Sequence, residues 1–398
     1  MKQEDIFLIE VLKAFIHEKK LSDIPALSMK KLYETAVKHN VAGIIFYMLR
    51  HLMEDQKDSD IYQALKKQYI ITIYNSAVKE REVEIFAEKL EQTHIPYAFF
   101  KGEELRKLYP VSELRTMGDV DILIREENMN LAGNILRRLG YEKCESGSNV
   151  WTFHKGIMFY EIHNRLAAKS YWNNIDYEAY FNGIYDKLIS GENESRKYFS
   201  PEDHFIFLCF HLAKHLDSSG AGIRMFMDIA VYLMKYEKEL DWLYIWKECA
   251  GIKLDCFVKN VLSICSEWFQ VDTIYKTKEV DPATMKQLKE YVMCGGTFGF
   301  ERDESLRRLR RGMKNADSKN STVIKIRALW KIIFPDKKHM EDFMPAIRYY
   351  PILLPIAWCR RWRLGVENRW KMKAAVHRMG KNVDEAKEQY ALLKRIGL

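Results

Sequence analysis

Apolar residues recur at helical spacing through roughly the first ninety positions: Ile6, Ile9, Leu12 and Ile16, then Leu32, Ala36, Val41, Ile44, Ile45 and Met48, then a run from Ile70 to Leu90. Pro25 and short polar clusters interrupt them, so residues 1–92 read as a helical region. The period changes at Ile95-Pro-Tyr-Ala-Phe-Phe100, a short apolar run suited to a buried strand. Lys101-Gly102 then reads as a turn, and the following Glu-Glu-Leu-Arg-Lys-Leu-Tyr as an amphipathic helix stopped at Pro110. A second strand carries Val120, Ile122 and Ile124 toward a core, and Glu126 to Leu139 reads as a helix closed by Gly140. Asn149 to Lys155 and Gly156 to Arg165 have the character of an antiparallel pair turning at Lys155-Gly156.

Beyond Ser200 the helical period returns. Ser200-Pro-Glu-Asp203 supplies an N-cap, a proline at the first helical position and acid in the first turn. His204 to His215, Met225 to Tyr236, Trp242 to Ala250 and Cys256 to Phe269 read as helices, with Asp217-Ser-Ser-Gly-Ala-Gly222 as a flexible loop. Gly295, Gly296 and Gly299, then the polar stretch Lys314 to Thr322, mark a boundary. The expected class is α+β: a mostly helical chain with a small central mixed sheet. The expected regions are a helical 1–92, an α/β core over 93–198, a helical 199–300, and a basic, aromatic-rich helical 301–398. No internal repeat is evident.

Composition narrows the class of protein. Of 398 residues, 47% are hydrophobic and 30% charged, the balance of an ordinary globular chain rather than a disordered one. No run of eighteen apolar residues appears, and the start MKQEDIFLIEVLKAF lacks the basic-then-apolar order of a signal peptide, so a cytoplasmic location is expected. Seven irregularly spaced cysteines without a Cys-x-x-Cys pair argue against a disulfide framework and structural zinc. Charge is uneven: residues 301–398 hold 24 Lys and Arg against 11 Asp and Glu, while the first 300 residues are net negative. That tail also carries Trp330, Phe334, Tyr349, Tyr350, Trp358, Trp362 and Trp370. It reads as a solvated basic helical surface, or as one making weak, salt-sensitive contact with nucleic acid or anionic membrane. Its apolar stretch Tyr350 to Trp358, ahead of Arg360, Arg361 and Arg363, is too short to span a bilayer.

The candidate chemistry centres on Arg115-Thr-Met-Gly-Asp-Val-Asp-Ile-Leu-Ile124. Strand alternation places Asp119 and Asp121 side by side on the face opposite Val120 and Ile122. Adjacent carboxylates repel unless a cation, a basic partner or solvent relieves them, and a hard divalent ion is the relief that also supplies chemistry. An isolated Asp-x-Asp equally suits a solvated turn. Downstream, alternation in Ile157 to Arg165 puts Phe159, Glu161 and His163 on one face, so Glu161 can complete a three-carboxylate site for one or two Mg²⁺ ions, or Mn²⁺. Gly102 admits a phosphate close to the backbone, and Lys101 or Arg115 can add charge; the Gly-Lys-Ser/Thr ending of a Walker loop is missing. Structural alternatives stand beside each role. Lys101-Gly102 suits a plain strand-to-helix turn, Glu161 an exposed strand acid, Arg115 a partner for Asp119 or Asp121, and His163 a core or supporting position. His211 and His215, four apart, lack the glutamate of His-Glu-x-x-His and suit packing or substrate contact better than zinc. Arg224 and Asp228 have i,i+4 spacing.

Phe100-Lys101-Gly102, the Gly118-Asp-Val-Asp121 strand, a helix ending in Leu-Gly-Tyr141 and Glu161-Ile-His163 together resemble the uncharacterised nucleotidyltransferase family of the polymerase-β-type superfamily. Pro201-Glu-Asp-His-Phe-Ile-Phe-Leu-Cys-Phe-His211, Lys214-His215 and Arg224 to Asp228 resemble that family's helical half. The resemblance implies a sheet of nucleotidyltransferase type, with Asp119, Asp121 and Glu161 as metal-binding and catalytic acids. It also implies nucleotide contacts from Lys101, Gly102, Arg115 and Gly118. The implied reaction is Mg²⁺-dependent transfer of a nucleoside monophosphate from an NTP to a hydroxyl acceptor. One departure bears on activity: the superfamily's Gly-Gly or Gly-Ser turn is replaced here by Gly102-Glu103. The alternative is a nucleotide-binding or scaffold protein of the same fold that does not turn over. An Asp-x-Asp glycosyltransferase ranks last, because the ninety residues before the motif read as helical.

Overall fold

The computed structural model describes residues 1–146, 150–191, 193–274, 280–296, 310, 330, 334, 337, 340, 344, 347, 350–366 and 384–398. The chain divides into two compact units, residues 1–299 with 396–398, and residues 300–395.

The first unit begins with three helices, α1 (Gln3–Ile16), α2 (Met29–Lys38) and α3 (Ala42–Leu49), followed by the long α4 (Asp60–Gln92). Serine oxygens start two of them: Ser28 accepts from the Lys31 N–H and Ser59 from the Tyr62 N–H, satisfying first-turn donors. The sheet strands are β1 (Tyr97–Phe100), β2 (Val120–Ile124), β3 (Glu142–Ser146), β4 (Val150–Lys155) and β5 (Met158–His163), in the order β1-β2-β5-β4-β3. β2 and β5 run parallel at the centre, and the other neighbours are antiparallel. The β4–β5 hairpin turns as its sequence requires. Short α5 (Gly102–Arg106) follows β1, and α6 (Met129–Arg138) follows β2; the chain leaves α6 through Gly140 at φ 87°. This is the α+β class that the periodicity predicts.

The two sheet faces differ in character. Val120, Ile122 and Ile124 of β2, with Tyr160 and Ile162 of β5, pack against Val83, Phe86 and Leu90 of α4 and Ala132, Ile135 and Leu136 of α6. The opposite face carries Phe100, Asp121, Glu161 and His163. Its cover includes Phe207, whose ring lies 5.4 Å from that of Phe100.

That cover is helical. After α7 (Tyr177–Phe181) and a small β6–β7 pair (Ile189–Ser190 with Lys197–Tyr198) come α8 (Pro201–Ser218), α9 (Ile223–Tyr236), α10 (Trp242–Gly251), α11 (Asp255–Phe269) and α12 (Pro282–Gly295). Ser200 caps α8 through the Asp203 N–H with Pro201 in its first turn, as the sequence requires. Three features differ from the sequence reading. The Glu103–Tyr109 helix ends by Arg106, and β3 and α12 are added elements, α12 starting at an Asp281 N-cap and burying Met285, Leu288 and Val292 at helical spacing. The Asp217–Gly222 stretch is partly helical and packed: α8 runs through Ser218, residues 219–222 are buried, and the Ser219 and Gly220 N–H groups both donate to His215 O. Its glycines serve a tight, packed helix exit.

In the second unit, Met340, Ile347 and Ala357 form a small core beside a helix at Leu354–Val366, and residues 384–395 are helical. Tyr350, Ile352 and Ile356 are exposed there. The Lys314–Thr322 stretch, Tyr349 and Trp370 lie outside the described residues. No helix among the described residues is long and apolar enough to cross a membrane.

Candidate active site

Parallel pairing of β2 with β5 sets Asp121 opposite Glu161, so two carboxylates forty residues apart in sequence stand side by side on one sheet face. His163 lies two residues further along β5 on the same face. Its Nε2 is 2.9 Å from Asp121 Oδ1 and 3.4 Å from Glu161 Oε2. Lys101, at the β1–α5 turn, donates to the same Asp121 Oδ1 at 2.5 Å. Asp119 precedes β2 at the open side and lines the same cleft, as do Gly118, Gly102 and Arg115. The cleft measures about 570 Å³, room for a nucleotide-sized ligand.

Environment separates the acids. Burial would raise Asp121, but Lys101 and His163 outweigh it and hold its carboxyl well below the usual range. A hydrogen bond with His163 lowers Glu161. Asp119 goes the other way: the cleft walls withdraw bulk water and Asp121 adds repulsion, raising it, although the residue keeps open surface. His163 is also raised, since its two carboxylate contacts overcome the cost of burial.

One ligand atom each from Asp121, Glu161 and His163 lie within 4.8 Å of one another, while Asp119 stands outside that group. The two carboxylates are hard oxygen donors of the kind Mg²⁺ or Mn²⁺ selects, so the donor set fits such an ion. His163, within reach of both acids through Nε2, is the third member of that group.

Gly102 has a steric reason for its identity. A Cβ there would lie 2.8 Å from Arg115 Nη1 and 3.1 Å from Met117 Sδ. Glu103, which follows Gly102, is buried and paired with Arg106 Nε at 2.9 Å, so its charge is compensated away from the cleft lining.

Arg115 pairs with neither Asp119 nor Asp121. It makes a bidentate pair with Asp228 of α9, Nε to Oδ1 at 3.0 Å and Nη2 to Oδ2 at 2.8 Å, and the Tyr109 hydroxyl donates to Oδ1 at 2.7 Å. The i,i+4 spacing of Arg224 and Asp228 therefore serves two partners: Arg224 donates to the carbonyl and hydroxyl of Thr116. Both contacts tie the helical half to the loop ahead of Asp119. His211 and His215 line the cleft with rings 4.5 Å apart; burial lowers both, His215 to about 4, which keeps them neutral.

Lys79 was not legible as a site residue. It sits in the middle of α4 among ordinary charged helix positions, yet it is buried and its ammonium donates to Met117 O at 2.7 Å and Gly118 O at 2.6 Å. Burial lowers it to about 8. The only sequence signal was its place on a helix face otherwise turned inward.

A mixed sheet that presents paired acids to a nucleotide-sized cleft roofed by helices defines an α+β protein of nucleotidyltransferase type. The chain belongs to the uncharacterised nucleotidyltransferase family, whose model matches residues 25–270. No curated protein and no solved structure matches it.

Proposed function

We propose that this protein transfers a nucleoside monophosphate from an NTP to a hydroxyl acceptor with release of pyrophosphate, using Asp119, Asp121 and Glu161 to hold Mg²⁺ or Mn²⁺. The parallel register that sets Asp121 beside Glu161, with Asp119 in the same cleft, is the observation that carries it. A divalent ion at these acids supplies Lewis-acid stabilisation of the charge that develops on the α-phosphoryl group and pyrophosphate. Lys101 and the Gly118 backbone meet the phosphates, Gly102 leaves the space for them, and Arg115 braces the wall through Asp228. Glu161, a third exposed and held as carboxylate, takes the acceptor hydroxyl's proton as the new O–P bond forms and the α–β bridging bond breaks.

Incubation with labelled NTPs, Mg²⁺ and a cell extract tests the reading. Label should pass to an acceptor with the native chain and fall at least about a thousandfold in Asp119→Ala/Asp121→Ala; undiminished labelling by that variant would sink the assignment. A second reading, nucleotide binding without turnover, draws on Lys101 already compensating Asp121. Tight NTP binding by calorimetry, with no transfer whatever acceptor is offered, would select it. For the tail, exposed Tyr350, Ile352, Ile356 and Arg360 support weak, salt-sensitive contact with RNA or anionic membrane on the cytoplasmic side. Deletion from residue 320 should abolish such binding.

A further inference from the structure

We infer that Lys101 competes with the divalent cation for Asp121 and yields the position only when a polyphosphate takes its ammonium, so that metal and nucleotide bind as a coupled pair. The inference rests on the nucleotidyltransferase reading of the same site.

Asp121 is 3% exposed, and a carboxylate buried that deeply requires compensation. It receives two donors, Lys101 and His163, and both fall on Oδ1, the inner wall of the acid group. The Lys101 side chain also lines the cleft shared with Asp119 and Glu161. The acid group is therefore already in contact with the Lys101 ammonium and the His163 imidazole. A divalent ion added with Lys101 still in place would meet the repulsion of an ammonium sharing its ligand, at distances where neither salt nor bulk water screens it well.

The backbone points the same way. Lys101 has φ 54° and ψ −119°, a conformation that side-chain-bearing residues avoid. A strained backbone kept under a lysine implies that the side chain's position is worth its cost. The ammonium rests 5.1 Å from the Phe100 ring centroid and 6.0 Å from that of Phe207, an aromatic seat that steadies a cation without tying it by further hydrogen bonds. The four-carbon stem lets the charge move between a carboxylate and a phosphate while the backbone stays fixed, which a guanidinium fork would do less well. Lys101 lines the cleft itself, so an entering polyphosphate can reach the very ammonium to be displaced.

Mn²⁺ titration of the full chain without nucleotide, followed by the electron paramagnetic resonance signal of free Mn²⁺, tests this. Lys101→Met and Lys101→Gln should each bind Mn²⁺ at least tenfold tighter than the native chain. Adding Asp121→Asn to either should abolish the gain, and Lys107→Met, an exposed lysine at the far end of α5, should leave affinity unchanged. Circular dichroism melts identify variants that fold, and two replacements of different polarity guard against a misfolded one. Native and Lys101-variant affinities equal within twofold would overturn the inference, and so would weaker binding by the variants, which would make Lys101 a support of the metal site. Neither result touches the function reading, which stands or falls on label transfer by the Asp119 and Asp121 variant.

Discussion

Asp228→Ala isolates the clasp between the sheet and its helical cover. Asp228 is 6% exposed and Arg115 7%, and the carboxylate accepts two guanidinium bonds and the Tyr109 hydroxyl. Truncation leaves a buried guanidinium without its counter-ion and a buried phenol without its acceptor. Breaking a buried pair from one side costs about 3–5 kcal/mol, and an orphaned buried hydroxyl adds about 1–3 kcal/mol. Arg115 also borders the cleft, so water can reach part of it and the lower end of the sum applies: about 4 kcal/mol. Urea unfolding followed by tryptophan fluorescence reads the loss directly. The partner experiment is Arg115→Met/Asp228→Leu, which removes both charges and refills the volume. It should cost less than either single change, with a coupling of at least about 2 kcal/mol. A loss below about 1 kcal/mol for Asp228→Ala, or additive singles, would refute the view that this pair is buried and mutually dependent.

Three further outcomes follow from the site. Gly102→Ala should lower stability, because its Cβ meets Arg115 Nη1 while Asp228 holds that guanidinium in place; an unchanged urea midpoint would contradict the close packing. Lys79 has a folded pKa of about 8 against 10.5 unfolded, so the unfolded chain binds more protons between those values and stability from this group rises with pH across them. From pH 7.5 to 9.5 the native chain should gain about 2 kcal/mol relative to Lys79→Met in urea unfolding. His163→Ala removes a donor that keeps Asp121 ionised, so the acid limb of the pH–rate profile should move to higher pH; a profile unmoved in shape would assign His163 to packing alone.

Much of the fold was written in local pattern. The N-cap at Ser200, the Lys155-Gly156 hairpin and the α8 to α11 periodicities all depend on neighbours within a few residues, where spacing and turn chemistry act directly. Local composition misled at residues 217–222, where glycine and serine signalled mobility although burial and helix-end bonds decide the outcome. β3 escaped because Glu142 to Ser146 has little apolar alternation of its own, whereas α12 carries a local helix signal in Asp281-Pro282 and in the spacing of Met285, Leu288 and Val292.

The same division runs through the site. Sequence alone determined that Asp119, Asp121, Glu161, Lys101 and Gly102 were the residues to watch, because strand period and motif spacing are local properties of the chain. Tertiary structure alone decided what each one touches: the β2–β5 register sets Asp121 against Glu161, α9 brings Asp228 to Arg115 across 113 positions, and α4 carries Lys79 beneath Gly118. Pairing register and helix docking are set by how whole faces bury against one another, and no short window of sequence contains both members of such a contact.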